Sequence, residues 1–97
     1  MYVLAIIRYR KPLEEVLKVV DDHRAYLRKL KEAGKLLASG PFEPRFGGGL
    51  LLRLPDATFS DDALAVRDGD PFVKAGVAQY ELLPWAPVIG KEDLDRL

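Results

Sequence analysis

Residues 2–9 read Tyr-Val-Leu-Ala-Ile-Ile-Arg-Tyr, and this stretch decides the fold. The residues favour extended structure and include no turn former, so they predict a β-strand. Apolar side chains lie on both faces of this strand, because successive residues of a strand point to opposite sides. They are Val3, Ala5 and Ile7 on one face and Leu4 and Ile6 on the other. A strand that is apolar on both faces must be covered on both faces.

Prolines and glycines divide the rest of the chain into helices and strands. After Pro12, apolar residues recur at steps of three and four, which predicts one amphipathic helix that ends at Gly34. Ser60 is a suitable N-cap for a second helix, and Asp70-Pro71 predicts the start of a single further turn. The predicted segments are a helix at 12–34, a strand at 36–39, a strand at 50–54 opened by three glycines, a helix at 60–69, a turn at 70–75, a strand at 77–83 and a charged tail at 91–97.

The order strand, helix, strand, strand, helix, strand predicts an α+β fold. Its simplest packing is a ferredoxin-like βαββαβ sandwich, in which a four-stranded antiparallel sheet carries both long helices on one face. The other face would keep the apolar side chains of Leu4 and Ile6 and one side of segments 50–52 and 77–82. Soluble monomers rarely expose so large an apolar patch. We therefore expect a homodimer in which two sheets pack face to face.

The composition indicates a single globular domain over residues 1–97, because apolar residues make up 48% of the chain and occur along its whole length. Fifteen basic residues balance fifteen acidic ones. Nucleic-acid and anionic-membrane partners usually require a basic excess, so neither is expected. No apolar run is long enough to span a bilayer, and the first residues lack the features of a signal peptide, so a cytoplasmic location is expected.

His23 is the only histidine of the chain, and histidine is the side chain best suited to acid–base chemistry near neutral pH. On the predicted helix, His23 lies on the shoulder between the apolar stripe and solvent. A lone histidine in such a place is more often structural than catalytic. Asp70 has a structural interpretation too, as the N-cap of its own turn. The roles are compatible, because an Asp70 carboxylate that accepts a hydrogen bond from His23 would leave the other ring nitrogen as a base.

Four further residues are candidates for substrate binding: Ser39, Gly40, Pro41 and Phe72. Ser39-Gly40-Pro41 breaks a predicted strand, so its hydroxyl and neighbouring amides could point into a cavity. A bend followed by a stop explains the same three residues equally simply. Phe72 could line the cavity or serve only for packing.

The sequence predicts neither a metal nor a cofactor. There is no cysteine, and one histidine without an acidic partner on its helix supplies too few metal ligands. Gly47-Gly48-Gly49 has no lysine or serine after it in P-loop spacing. A flexible turn or bulge explains this run better than a phosphate site does.

Together, these stretches resemble the YciI-like (YCII-related) proteins. The resemblance rests on His23-Arg24-Ala25-Tyr26-Leu27, on residues 34–42 with Ser39-Gly40-Pro41, and on Asp70-Pro71-Phe72 followed by Ala75-Gly76. It implies a ferredoxin-like dimeric α/β barrel. It also implies an active site built on His23 and Asp70, with Ser39 and Gly40 nearby. Related enzymes eliminate hydrogen chloride from chlorinated hydroquinones or isomerise muconolactone.

Two functions remain open at this point. In the first, His23, oriented by Asp70, removes a proton from a small carbonyl-bearing or phenolic substrate, in a cofactor-free reaction of the lyase, isomerase or dehydrochlorinase type. Ser39 and local amides would then stabilise the developing oxyanion. In the second, the protein is a non-catalytic dimer that binds a small molecule or a partner protein, for example as an accessory domain. His23 would then donate to a backbone carbonyl, and the pocket would be shallow or filled by Phe72 and Trp85.

Overall fold

Four strands form one antiparallel sheet, as the sequence predicts. The computed structural model describes all 97 residues. The strands are β1 (Tyr2–Tyr9), β2 (Leu36–Pro41), β3 (Gly47–Arg53) and β4 (Ala78–Trp85). Their order is β2-β3-β1-β4, and each neighbouring pair is antiparallel. The strand that is apolar on both faces, β1, therefore lies in the interior of the sheet.

Five helices accompany the sheet: α1 (Leu13–Leu17), α2 (Val20–Glu32), α3 (Phe59–Gly69), α4 (Pro71–Lys74) and α5 (Lys91–Asp95). The buried side chains of α1 to α4 form one core with Val3, Ala5 and Ile7 of β1. These four helices thus cover a single face of the sheet, and the architecture is the expected α+β fold, consistent with a ferredoxin-like sandwich. None of the helices combines the length and the apolar character that crossing a membrane requires.

The prediction of one continuous first helix is wrong, because the helix is interrupted at Lys18 and Val19. The Val19 amide donates to the Val16 carbonyl at 3.0 Å, three residues back, so the chain tightens and α1 ends. The β-branched pair Val19-Val20 favours this break, since stiff side chains lower helix propensity. The buried residues on either side of the break are Val16 in α1 and His23, Leu27 and Leu30 in α2, and they keep the spacing of one helical stripe. His23 is therefore on the buried stripe and not on the shoulder.

The second strand is longer than predicted, since β2 continues through Gly40 to Pro41. Proline is tolerated there because β2 is an edge strand and Pro41 is its last residue. The three glycines belong to β3 itself and do not form a separate turn. A β-carbon at Gly47 would lie 1.9 Å from the Ile7 carbonyl oxygen. The close approach of β1 and β3 at that point thus requires glycine.

Two other boundaries differ from the prediction. The N-cap of α3 is Thr58 and not Ser60, and the Thr58 hydroxyl donates to the Asp62 carboxylate at 2.7 Å. The last strand is displaced toward the C-terminus and ends at Trp85. By contrast, Asp70 is the N-cap of α4, with its carboxylate accepting from a backbone amide, as the Asp-Pro sequence predicts.

The sheet face opposite α1 to α4 is here called the open face. By strand register it carries Leu4, Ile6, Leu51, Leu83 and Trp85. Only α5 crosses one end of it, where the Tyr2 hydroxyl donates to Asp95 at 2.5 Å. Leu83 and Trp85 each remain 40% exposed. The open face is the uncovered apolar surface that the composition of β1 predicts.

Candidate active site

Contacts between α2 and α3 bring His23 to Asp70, the residue that joins α3 to α4. Tyr26, nearly one turn after His23, donates its hydroxyl to the Val66 carbonyl at 2.7 Å. Gly69 permits this approach, since a β-carbon there would lie 2.7 Å from the Tyr26 hydroxyl oxygen. Asp70 then leaves the helical conformation, with φ −72° and ψ 127°. Its side chain is thereby directed toward α2.

The structure brings the two candidate catalytic residues into direct contact. His23 Nδ1 lies 2.8 Å from Asp70 Oδ1 and 2.9 Å from Oδ2. Asp70 has no exposed surface, and His23 is only 8% exposed. No third side chain of a metal-ligating type joins them to form a metal site. The pair is a buried ion pair or charge-assisted hydrogen bond, depending on whether the imidazole is protonated.

Asp70 accepts two further hydrogen bonds. The Phe72 amide donates to Oδ1 at 2.9 Å, and the Tyr80 hydroxyl of β4 donates to Oδ2. Burial and the negative charge of Asp70 raise the pKa of Tyr80 far above its ordinary value, so this hydroxyl keeps its proton and remains a donor. Donors from three directions hold the carboxylate in one orientation, and the carboxylate in turn holds the imidazole.

The contact with Asp70 determines the tautomer of His23. A carboxylate only accepts hydrogen bonds, so the ring nitrogen that faces it, Nδ1, carries the proton. The hydrogen bonds of the ring all come from Nδ1, and no buried side-chain nitrogen or oxygen of the chain lacks a partner. Nε2 therefore reaches solvent. In the neutral ring, Nε2 carries a free lone pair and can accept a proton.

Phe72 packs directly against the imidazole. The two rings are 5° from parallel, with centroids 3.8 Å apart. Tyr9 meets the Phe72 ring edge-on at 6.0 Å. Phe72 belongs to α4, whose first turn Asp70 caps, so one short segment supplies both the hydrogen-bond acceptor and the stacking surface for His23. The stacking on Phe72 fixes the plane of the His23 ring, and the hydrogen bond to Asp70 fixes its rotation within that plane.

A cavity of about 190 Å³ lies beside His23, between α2 and the helix-facing side of the sheet. Its walls are formed by Ile7, Tyr9, Val20, His23, Arg24, Leu27, Ser39, Gly40, Pro41, Arg45, Gly48, Gly49, Leu50 and Phe72. In the sheet, Gly48 lies between Ile7 and Pro41 and contributes no side chain, which leaves space above the central strands. A cavity of about 150 Å³ accommodates a benzene ring. This one is large enough for a single substituted ring.

All four candidate binding residues line this cavity. Ser39 and Pro41 are in register with Leu50 and Gly48, so both face the helices, and Gly40 adds backbone between them. Phe72 contributes to the same wall as His23. Trp85 does not fill the cavity, because it pairs with Tyr2 on the open face. The ring of His23 also bonds to a carboxylate and not to the backbone carbonyl that the non-catalytic alternative predicts.

Three site residues were not identified from the sequence. The bond from the Tyr80 hydroxyl to Asp70 depends on the register of β4, which the sequence does not reveal. Arg24 occupies a helical step among apolar residues, and in the structure it lines the cavity. Arg45 comes from the link between β2 and β3, where no periodicity predicts side-chain direction. For Arg24, the one available signal in the sequence is a basic residue at a position of the helix where the pattern predicts an apolar one.

The family model of the YCII-related domain matches residues 1–86. The chain belongs to the YCII-related family. No curated protein gives a significant match to its sequence.

Among solved structures, the chain is similar to the 5-chloro-2-hydroxyhydroquinone dehydrochlorinase TftG from Burkholderia phenoliruptrix AC1100, determined in complex with 2,5-dihydroxybenzoquinone. The two sequences are 23% identical, and the alignment covers 92% of this chain and 97% of that chain with a TM-score of 0.77. This YCII-related chain and the dehydrochlorinase thus share a fold over nearly their whole lengths.

Proposed function

We propose that the protein is a small-molecule enzyme that performs cofactor-independent acid–base chemistry of the lyase, isomerase or dehydrochlorinase type. One observation carries the proposal: His23 Nδ1 is bonded to both oxygens of a buried carboxylate, and the ring lines a cavity that can hold one substituted ring. His23 is the base, with Nε2 as the accepting atom. Asp70 is the positioning residue that sets the tautomer and stabilises the imidazolium that forms.

The reaction begins when Nε2 removes a proton from a carbon or oxygen of the bound substrate. The electron pair left behind becomes an enolate or phenolate. In an elimination, this pair forms a new double bond and expels a leaving group such as chloride, so that one proton and one anion are lost together. In an isomerisation, the imidazolium returns the proton to a different carbon. Both outcomes need one base and no redox partner.

Negative charge on the substrate oxygen has to be stabilised while the proton is on His23. The Ser39 hydroxyl and the backbone of Gly40 lie on the cavity wall contributed by β2. A hydroxyl and amides that face a partly enclosed cavity are suited to bind a developing oxyanion, since water competes with them weakly there. We assign this role to Ser39, with Pro41 and Phe72 shaping the binding surface.

The dehydrochlorinase TftG supports this reaction class by analogy, because it has the same fold and its structure contains a six-membered dihydroxyquinone. The cavity described above has a size that suits a molecule of that kind. The chain's own His–Asp contact carries the argument, and the analogy suggests which compounds to test first.

The direct test is turnover of a panel of chlorinated hydroxyhydroquinones and lactones, with chloride release and ultraviolet absorbance as readouts. We expect His23→Gln to abolish turnover of any substrate that the wild-type protein converts, while its circular dichroism shows that it remains folded. Full activity in His23→Gln would rule out its role as the base. Thermal stabilisation by panel members without any turnover would favour the alternative, a non-catalytic binding domain.

We also propose that two chains associate through their open faces to give a dimeric α/β barrel in the cytoplasm. The support is the pair of apolar side chains Leu83 and Trp85, each 40% exposed on the same face. Light scattering should give twice the mass of one chain, and Leu83→Asp should reduce it to one chain mass. The matched control is Leu64→Asp, since Leu64 is 39% exposed but belongs to α3. A monomeric wild-type protein would refute the dimer.

A further inference from the structure

We infer that the cavity takes a single-ring compound that carries an anionic oxygen group, a carboxylate or an ionised enol, and that Arg24 and Arg45 bind this group. The inference rests on the proposed function, because it assigns the substrate class of the same cavity. It adds a charge requirement that neither His23 nor Asp70 implies.

Arg24 carries an unpaired charge at the cavity. It lies one helical turn after Val20 and one before Leu27, and all three side chains line the cavity wall. Arg24 takes part in none of the ion pairs of the chain. Arg28 follows at the four-residue step, and two like charges at that spacing weaken a helix. Asp21 lies three residues before Arg24 but forms no ion pair with it. The Arg24 charge therefore has no partner within the protein.

Arg45 reaches the same cavity from the link between β2 and β3. Its Nε lies 3.5 Å from the Tyr9 hydroxyl, and Tyr9 itself contacts Phe72. Like Arg24, it forms no ion pair. Arg24 of helix α2 and Arg45 of the link therefore line the same cavity from two sides. A guanidinium presents parallel N–H donors, a geometry that matches a carboxylate or a pair of adjacent oxygens.

The cavity is positive although the protein as a whole is neutral. The chain has fifteen basic and fifteen acidic residues, yet the cavity wall includes two arginines and no aspartate or glutamate. Asp70, the carboxylate bonded to His23, has no exposed surface and is occupied by three donors. An anionic ligand restores charge balance at this place. Both arginines are exposed while His23 is nearly buried, so they bind the anion at the mouth and His23 acts deeper.

The test compares binding of matched anionic and neutral probes by isothermal titration calorimetry. One pair is 4-hydroxybenzoate and 4-hydroxybenzamide, and the other is 2,5-dihydroxybenzoquinone and the nearly isosteric, neutral 2,5-dimethylbenzoquinone. Each pair differs chiefly in charge, and the two pairs distinguish a carboxylate from an ionised enol. We expect at least one anion to bind about tenfold or more tightly than its neutral partner, and its affinity to fall as salt is raised.

Arg24→Gln and Arg45→Gln should each weaken binding of that anion by about tenfold and leave the neutral probe unaffected. The control is Arg28→Gln, since Arg28 lies one turn further along α2 and does not line the cavity. Its effect should be less than about twofold. Equal affinity for charged and neutral probes, no effect of either arginine variant, or no binding of any anion would overturn the inference. Because the readout is binding, an anion that binds while no member of the substrate panel is turned over would count against the proposed catalysis and leave the charge requirement intact.

Discussion

The imidazole of His23 and the ring of Phe72 form a parallel stack, with centroids 3.8 Å apart and planes only 5° from parallel. Asp70 is hydrogen-bonded to Nδ1 at the edge of the imidazole, and the stacked ring of Phe72 limits how far the imidazole can tilt. The two contacts restrain different motions of the same ring. The orientation of Nε2 therefore depends on the packing of α4 as well as on the hydrogen bond.

Phe72→Leu should release this restraint and lower the free energy of unfolding by about 1–3 kcal/mol, because a buried aromatic ring is replaced by a smaller side chain. Urea unfolding measures the stability, and the ring protons of His23 should lose their upfield NMR shift. The control is Phe46→Leu, since Phe46 is 54% exposed. That change should stay within about 0.5 kcal/mol of wild type. An unmoved histidine spectrum in Phe72→Leu would contradict the stacking.

Asp70→Asn should reduce turnover by up to about 10⁴-fold. The asparagine oxygen can still cap α4, but its amide would donate to Nδ1 and place the histidine proton on Nε2, where a base is required. Nitrogen NMR shifts of His23 report the tautomer directly. Asp68→Asn is the matched control, because Asp68 lies at the same end of α3, bonded to Arg67 at the surface. If both variants kept the wild-type tautomer, Asp70 would not be the positioning residue.

Tyr80→Phe should alter the alkaline limb of the stability curve. Burial and Asp70 raise the pKa of Tyr80 above its ordinary value of 10.0. Above about pH 10 the unfolded chain loses the Tyr80 proton while the folded chain keeps it, so the free energy of unfolding falls as the pH rises. Tyr80→Phe removes this contribution and should give a shallower decline. Tyr26, whose pKa is raised by burial, maintains a residual slope in both proteins.

The same variant should also lower stability at neutral pH, by about 1.5–3 kcal/mol, because Asp70 loses a donor to a charged acceptor. Denaturant unfolding at a series of pH values measures both effects. Parallel alkaline slopes in wild type and Tyr80→Phe would show that the hydroxyl does not retain its proton in the folded state.

Gly47→Ala should destabilise the sheet by more than about 3 kcal/mol, because the added methyl group meets the Ile7 backbone, which cannot move without disrupting the β1–β3 pairing. Gly40→Ala is the matched control in the neighbouring strand, since nothing lies within 4 Å of a β-carbon there. It should unfold within about 0.5 kcal/mol of wild type. Equal midpoints for the two variants in thermal denaturation would contradict the clash.

Local signals predicted much of this fold. The composition of residues 2–9 predicted a strand that is apolar on both faces, and Asp70-Pro71 predicted the cap of α4, because both features depend on neighbours in the chain. The burial of His23 was missed for the opposite reason. Leu13 and Leu17 belong to the apolar pattern of the sequence, yet they are 41% and 46% exposed. The buried stripe contains Val16 and His23 instead, and only tertiary packing decides which stripe is buried.

The sequence suggests the pairing of His23 with Asp70 because the chain has a single histidine. The resemblance to the YCII-related family then favours Asp70 among the carboxylates as its partner. The bond from Tyr80 could not be predicted in the same way. It depends on the alternation of β4 relative to β1, and a displacement of one residue would turn Tyr80 to the open face. Arg45 lies in a link whose conformation no periodic pattern determines.

The carboxylate of Asp70 both starts α4 and holds the His23 ring. A descendant of this chain that had lost its chemistry would still fold less well without that carboxylate, so selection for folding alone would retain the aspartate. His23 does not cap a helix. Among homologous sequences, an intact aspartate is therefore a poor guide to surviving catalysis, and the presence of the imidazole is the more informative character.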